Sequence, residues 1–147
     1  WLSQRQGPTW LTPHAAEFAR LFPHCGDGDA LDRAIAAARC SGCCILLKGA
    51  HSALADPSGA AVLLTGTAPR VARTGLGDLL AGFVTGWGAQ AIAAQQLPGL
   101  DNFAAAAALH GFAARRARST DALAIADCLK IHTARCQKKQ TTMFNKV

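Results

Sequence analysis

A glycine-framed turn is the clearest chemical signal in this chain. Gly75, Leu76, Gly77 and Asp78 lead into an apolar run typical of a helix. Glycine lets the backbone turn tightly and approach a ligand, and the first amides of a helix have no intrahelical acceptor. Those amides, at the positive end of the helix dipole, favour an anion such as phosphate, and a carboxylate beside it can accept a proton. The turn predicts an anion site with Asp78 as its base, although the same spacing fits a carboxylate that only caps the helix.

The cysteines form a second group of reactive side chains. The Cys40–Cys43 spacing is half of a zinc ribbon without a second pair, and Cys128, His132 and Cys136 would share one helix face but lack a fourth ligand. We therefore expect no metal site and interpret the thiols as buried and reduced. The cysteines are Cys25, Cys40, Cys43, Cys44, Cys128 and Cys136.

The distribution of charge argues against a nucleic-acid partner. The formal net charge is +6, but Thr133–Val147 carries four basic residues and no acidic ones, whereas the rest carries eleven basic and nine acidic. A nearly neutral body without a basic stripe interleaved with aromatics does not suit nucleic acid. No segment predicts a membrane span or a signal peptide, so we expect a cytoplasmic protein with neither a nucleic-acid nor a membrane partner.

Helices and short strands alternate along the chain. Thr12 is predicted to cap a helix with Pro13 at its first position, and a turn at 26–29 is predicted to start a second helix. The apolar run 43–47 suits a strand covered on both faces, and 52–56 with 60–65 suits a hairpin around Pro57, Ser58 and Gly59. Further helices are expected at about 78–90, 102–118 and 121–131. The small residues of the helix expected at about 78–90 permit close packing against a sheet or a neighbouring helix.

This order of elements predicts an α/β fold. We place one partial domain at 1–132 and a polar basic tail at 133–147, for which disorder is expected because it has no hydrophobic periodicity.

Several ordered motifs resemble the ADP- or ATP-dependent NAD(P)H-hydrate dehydratases, which have a ribokinase-like fold. The motifs span about residues 9–131 and are Leu11–Leu21, Leu46–Ser52, Ala55–Gly59, Ala72–Gly82 and Leu109–Ala113. The resemblance implies a three-layer α/β/α domain, of which this chain is the C-terminal part. It also implies that a preceding half of the sheet lies outside this sequence, so activity of the 147 residues alone is in question.

The resemblance implies a repair reaction on hydrated NADH or NADPH. In that family a nucleotide is used to remove water from the nicotinamide ring, through phosphorylation of the ring hydroxyl and elimination of phosphate. The expected cofactors are ADP or ATP with Mg²⁺, and the intact protein is expected to be a homo-oligomer.

The resemblance also assigns site residues. Nucleotide contacts fall on Lys48, Gly49, Ala50, His51, Ser52 and Gly77. The contacts to the hydrated nicotinamide fall on His14 and Asp78, with Asp78 as the catalytic base, and the anion hole falls on the amides of Gly75, Leu76 and Gly77. On type alone, His51 and His110 suit satisfied structural histidines better than catalysts.

Three positions depart from the family pattern, and two other functions stay open. Leu76 replaces a hydroxyl residue, Ala16 replaces a glycine, and Gly66–Pro69 lacks the expected asparagine. A ribokinase-like small-molecule kinase, such as one acting on a hydroxymethylpyrimidine, would use the same turn and base. A non-catalytic remnant is the other alternative.

Overall fold

The computed structural model describes residues 2–66, 75–119 and 121–144, with side chains up to Ala134. A short 3-10 turn at Leu2–Gln4 precedes four strands and five helices in these ranges. The strands are β1 (Trp10–Leu11), β2 (Cys44–Leu47), β3 (Ser52–Ala55) and β4 (Ala61–Leu64). The helices are α1 (Ala15–Leu21), α2 (Ala30–Ser41), α3 (Leu76–Ala93), α4 (Leu100–Arg116) and α5 (Ala122–Phe144).

The four strands form one mixed sheet in the order β1-β2-β3-β4. β1 and β2 are parallel, whereas β2–β3 and β3–β4 are antiparallel. Ile45 lies opposite Ala55, and Ala55 lies opposite Ala61. The predicted hairpin is therefore confirmed. Its turn is held by Asp56, whose carboxylate accepts from the Ser58 amide at 2.9 Å and from the Ala60 amide at 3.2 Å.

The two faces of the sheet are covered by different helices, which confirms the expected α/β class with three layers. Alternate residues of β2 point to opposite faces, as the pleat requires. Ile45 and Leu47 pack with α1 and α2, whose buried residues include Phe18 and Ala37. Leu46 packs on the other side with α3 and α4, in a cluster that also contains Cys44, Leu54, Leu80, Val84 and Phe103.

In the middle of α3, Gly88 is the small residue that packs closely against the sheet. A Cβ on Gly88 would lie 3.2 Å from the Trp10 ring, which in turn stacks on Phe103 with ring centroids 4.6 Å apart. Gly82 and Gly86 face open space instead. Gly88 therefore lets α3 approach the sheet closely.

Several predicted boundaries were wrong. α1 is capped by His14 rather than Thr12, and α3 begins at Leu76 rather than Asp78. α5 continues to Phe144, past the predicted end at residue 131, so 133–144 is helical where disorder was predicted. Good helix formers such as Ala134, Arg135 and Lys138 explain this extension. Residues 145–147 lie outside the described ranges, and the domain boundary at 132 stays a prediction.

The described cysteines differ in exposure, so the expectation of buried thiols was only partly right. Cys43, just before β2, and Cys44, in β2, are buried, Cys25 and Cys128 are half-buried, and Cys40 is exposed. The side chain of Cys136 lies outside the described ones. Among the described residues, no group of three His, Cys, Asp or Glu side chains could hold a metal ion. None of the described helices is long and apolar enough to cross a membrane.

Candidate functional site

Two of the predicted ligand contacts are brought together by parallel strand pairing. β1 and β2 run side by side, and the pairing continues past their ends as a parallel bridge between His14 and Lys48. The Lys48 amide donates to the Pro13 carbonyl at 2.8 Å. Because the carboxyl ends of parallel strands meet at one edge, the sheet itself sets the spacing of these two side chains.

His14 is fixed as the N-cap of α1. Its Nδ1 accepts hydrogen bonds from the amides of Ala16 and Glu17, each at 3.2 Å. A nitrogen that accepts has no proton, so the neutral imidazole carries its hydrogen on Nε2. His14 therefore caps the helix in place of Thr12, and its Nε2–H lies at the cavity beside Glu17.

Glu17 links His14 to Lys48, and its role was missed by the sequence reasoning. Its Oε2 accepts from the His14 amide at 2.7 Å and lies 3.8 Å from Lys48 Nζ, while its Oε1 lies 3.4 Å from His14 Nε2. The hydrogen bond from the His14 amide, helped by the charge of Lys48, lowers the pKa of Glu17. The signal was present as a capping box, a cap residue followed three positions later by Glu.

The glycine-framed turn forms as predicted. Gly75 is the N-cap of α3 with φ 89°, a left-handed conformation that favours glycine. The first amide with an intrahelical acceptor is that of Leu79, which donates to Gly75 O at 3.0 Å. The amides of Leu76, Gly77 and Asp78 are therefore available to an anion. The motif residues 72–74 and positions 67–69 of the earlier loop lie outside the described residues.

Lys48 Nζ lies directly over the start of α3. A Cβ built on Gly77 would be only 3.3 Å from that ammonium nitrogen. The cation and the amides thus converge on one region, and glycine at 77 leaves room for the lysine. This convergence is the electrostatic basis of the predicted anion site.

The segment after Lys48 is held by a buried hydroxyl. Ser52 is 6% exposed, and its Oγ accepts from the Gly49 amide at 3.5 Å. A Cβ on Gly49 would lie 2.9 Å from the His51 carbonyl oxygen, so the turn requires glycine there. His51 is exposed, and it does not line the cavity described in the next paragraph.

The other predicted residues line one cavity of about 1080 Å³. Its walls include His14, Lys48, Gly49, Ala50, Ser52, Gly75, Leu76, Gly77 and Asp78, together with Glu17. α4 adds His110 and Arg115, and Arg115 Nη1 donates to the Gly66 carbonyl at 2.6 Å. A volume of this size is slightly above the range of small-molecule sites, which are roughly 300–1,000 Å³.

His110 is not the satisfied structural histidine that its position suggested. Its Nε2 is buried with no hydrogen-bond partner among the described residues, and burial lowers its pKa. The imidazole is therefore neutral near pH 7 and lines the cavity as a hydrogen-bonding group. No local sequence pattern indicates this, because the packing of α4 decides which way residue 110 faces.

Within the described part of the chain, the acidic side chains that line the cavity are Asp78 and Glu17. Mg²⁺ is typically bound through one or two carboxylates together with phosphate oxygens and water, rather than by a cage of protein ligands. These residues fit a magnesium ion bound mainly through the phosphates of a nucleotide. Asp78 is the exposed carboxylate at the helix start, and Glu17 is paired with His14 and Lys48.

The comparisons with known proteins agree on one family. A family model described as NAD(P)H-hydrate dehydratase matches residues 2–135. The chain is 45% identical over 123 residues to a bifunctional NAD(P)H-hydrate repair enzyme of Salinibacter ruber, covering 80% of this chain and 21% of that protein. It is 47% identical over 83 residues to the enzyme of the same name from Gloeobacter violaceus, covering 56% and 16%.

Solved structures show the same similarity. An ADP/ATP-dependent NAD(P)H-hydrate dehydratase from Bacillus subtilis, co-crystallized with ATP/Mg²⁺ and soaked with CoA, superposes with a TM-score of 0.70 at 26% identity. The match covers 90% of this chain and 50% of that one. Bacillus subtilis YxkO, described as a putative kinase, gives a TM-score of 0.71 at the same identity and covers 51% of that chain. The chain thus spans about half of these structures and about a fifth or less of the curated relatives.

Proposed function

Because the chain belongs to the NAD(P)H-hydrate dehydratase family, we propose that it supplies the nucleotide-binding and proton-accepting part of a site that dehydrates NAD(P)H hydrate. One observation carries this proposal: His14, Lys48 and the Gly75–Asp78 turn line the same cavity. The cavity combines a cation, free amides and a carboxylate, which are the groups that phosphoryl transfer needs.

The proposed reaction has two steps. The ring hydroxyl of the hydrate attacks the terminal phosphoryl group of ATP or ADP, an O–P bond forms, and the bond to the leaving nucleotide breaks. Asp78 accepts the hydroxyl proton as the bond forms. The C–O bond then breaks, the nitrogen lone pair restores the reduced ring with loss of a ring proton, and inorganic phosphate leaves. Hydroxide is a poor leaving group, whereas phosphate is a good one.

The remaining residues bind and orient the two substrates. The amides of Gly75, Leu76 and Gly77 would form the anion hole, and Lys48 would neutralise phosphoryl charge as it develops. His14 would donate through Nε2 to the hydrated nicotinamide. Gly49, Ala50, His51 and Ser52 would border the nucleotide, as would Gly77.

Mg²⁺, bound to the nucleotide, would supply further charge neutralisation of its phosphates. We also propose that the protein acts on the hydrates of both NADH and NADPH, that it works in the cytoplasm, and that the intact protein is a homo-oligomer. Family membership and the names of the relatives support the substrate class.

The test measures nucleotide binding and turnover separately, since the chain spans half of the Bacillus subtilis enzyme. The chain is titrated with ATP and with ADP by calorimetry. It is then incubated with hydrated NADH and either nucleotide, while absorbance of the reduced nicotinamide is followed. Recovery of absorbance that is lost in Asp78→Asn supports the proposal.

A matched control is Asp101→Asn, which removes an exposed carboxylate from the first turn of α4, away from the cavity. It should behave as wild type in binding and turnover. Nucleotide binding without turnover would favour a remnant that keeps only the nucleotide half of the site. Phosphorylation of a pyrimidine alcohol, or absence of nucleotide binding, would overturn the proposal.

A further inference from the structure

Two cysteines that the proposed site does not use lie side by side. Cys25 is in the connection between α1 and α2, and Cys40 is in the last turn of α2. Their sulfur atoms are 3.9 Å apart, although the residues are fifteen positions apart in sequence. A disulfide needs a sulfur–sulfur distance of about 2.05 Å, so the two atoms must approach each other by roughly 2 Å.

The pair has the freedom and the access that such an approach needs. Cys25 follows α1 in a loop, where its amide donates to Phe22 O at 3.0 Å, and its side chain is half-buried. Cys40 is exposed, and its Sγ also lies 3.3 Å from the Ala37 carbonyl. Rotation of these two side chains moves the sulfurs without disturbing a strand. Cys43 and Cys44, by contrast, are buried in β2 or just before it.

We propose that Cys25 and Cys40 form a reversible oxidation site, whose reactant is a small disulfide of the glutathione type. The proposal stands apart from the dehydratase activity, because neither cysteine lines the cavity.

The chemistry balances as two exchange steps. The Cys40 thiolate attacks one sulfur of the small disulfide, which forms a mixed disulfide and releases one small thiolate. The Cys25 thiolate then attacks the Cys40 sulfur and displaces the second small thiolate. The two protons lost by the cysteines end on the two released thiols. The cysteine pair is oxidised by two electrons and the small disulfide is reduced by two.

The local environment makes the exchange dependent on pH. Partial burial, followed by the neighbouring Cys25 sulfur, raises the pKa of the Cys40 thiol. Since the thiolate is the nucleophile, the first exchange step should be slow near neutral pH and should accelerate as the pH rises. The charge of a Cys43 thiolate would raise the pKa of Cys40 further.

The cross-link would tie the α1–α2 connection to the end of α2. In the chain-entropy model, closing a loop of about 15 residues shifts the folding equilibrium by on the order of a hundredfold toward the folded state. His14 and Glu17 precede the loop and stay free of it. We therefore expect oxidation to raise the melting temperature and to leave nucleotide affinity unchanged.

The experiment incubates the full chain with oxidised glutathione at about pH 8, close to the range in which thiols ionise. Unreacted thiols are then blocked, and the disulfides are mapped by peptide mass spectrometry. A Cys25–Cys40 cross-linked peptide that dithiothreitol removes, with a raised melting temperature, is the expected result. Cys25→Ser and Cys40→Ser should each abolish the cross-link and the thermal gain, whereas Cys128→Ser should retain both.

Two results would overturn the proposal. One is a mixed glutathione disulfide at Cys40 that persists without resolution by Cys25. The other is a cross-link that joins either cysteine to a different partner. If a serine variant melts at a lower temperature even when reduced, the disulfide map of the wild-type chain alone decides the question.

Discussion

The Gly77→Ala substitution tests whether Lys48 and the start of α3 act together on an anion. The new methyl carbon would sit 3.3 Å from Lys48 Nζ, which is tighter than an ordinary contact. The lysine is 25% exposed on its side chain and can shift by a few tenths of an ångström. The substitution therefore moves the cation while it leaves the fold intact.

The expected effects on stability and on binding have opposite signs. Alanine within a helix stabilises by about 0.5–1 kcal/mol relative to glycine, because less backbone entropy is lost on folding. A hydrogen bond to a charged group contributes roughly 1.5–3 kcal/mol. Losing about half of that through displacement of Lys48 costs about 1 kcal/mol, which weakens nucleotide binding by about fivefold.

The assay pairs urea unfolding with ATP titration by calorimetry. Gly82→Ala is the matched control, since it lies on the same helix, is exposed, and has no atom within 4 Å of the added carbon. It should gain similar stability and bind ATP as wild type does. If Gly77→Ala binds ATP as tightly as Gly82→Ala, the inferred role of the Lys48–Gly77 contact is refuted.

Three further substitutions probe neighbouring features. Glu17→Gln can keep the capping hydrogen bond but loses the negative charge beside Lys48, so ATP affinity at low salt should rise about twofold. The control Asp32→Asn, in the equivalent position of the α2 cap, should leave ATP affinity unchanged. Burial lowers the pKa of His110 below 6.5, so its contribution to stability is present above that pH and is lost on acidification. The free energy of unfolding in urea should therefore fall less between about pH 7.5 and about pH 5.5 in His110→Gln than in the wild type. Asp56→Ala removes three hydrogen bonds in the β3–β4 turn and should cost about 1–2 kcal/mol in urea unfolding, without a change in ATP affinity.

Most of the fold could be predicted from local patterns. The buried run of β2 and the hairpin turn at Pro57 carry their signals within a few residues, so their types and approximate limits are confirmed. β1 was missed because a two-residue strand has no periodicity to detect. The end of α5 was missed because helix propensity continued after the apolar pattern stopped.

The candidate site was predictable in its parts but not in its connections. The sequence showed the Gly75–Asp78 turn, and the resemblance supplied Lys48 and His14. The position of Glu17 between His14 and Lys48 depends on the pairing of two strands that are far apart in sequence. The orientation of the His110 side chain toward the cavity depends likewise on how α4 packs, since several faces of an alanine-rich helix are similarly apolar. Long-range packing, rather than residue type, decides these features.

The bridge between the ends of β1 and β2 gives the molecule a spectroscopic reporter of its own. The Lys48 amide is hydrogen-bonded to the Pro13 carbonyl, so its hydrogen exchanges with solvent only when the two strand ends separate. That separation would also pull His14 away from Lys48. The exchange rate of one backbone amide, followed by NMR as a nucleotide is added, thus measures how often the site comes apart and how far a ligand holds it closed.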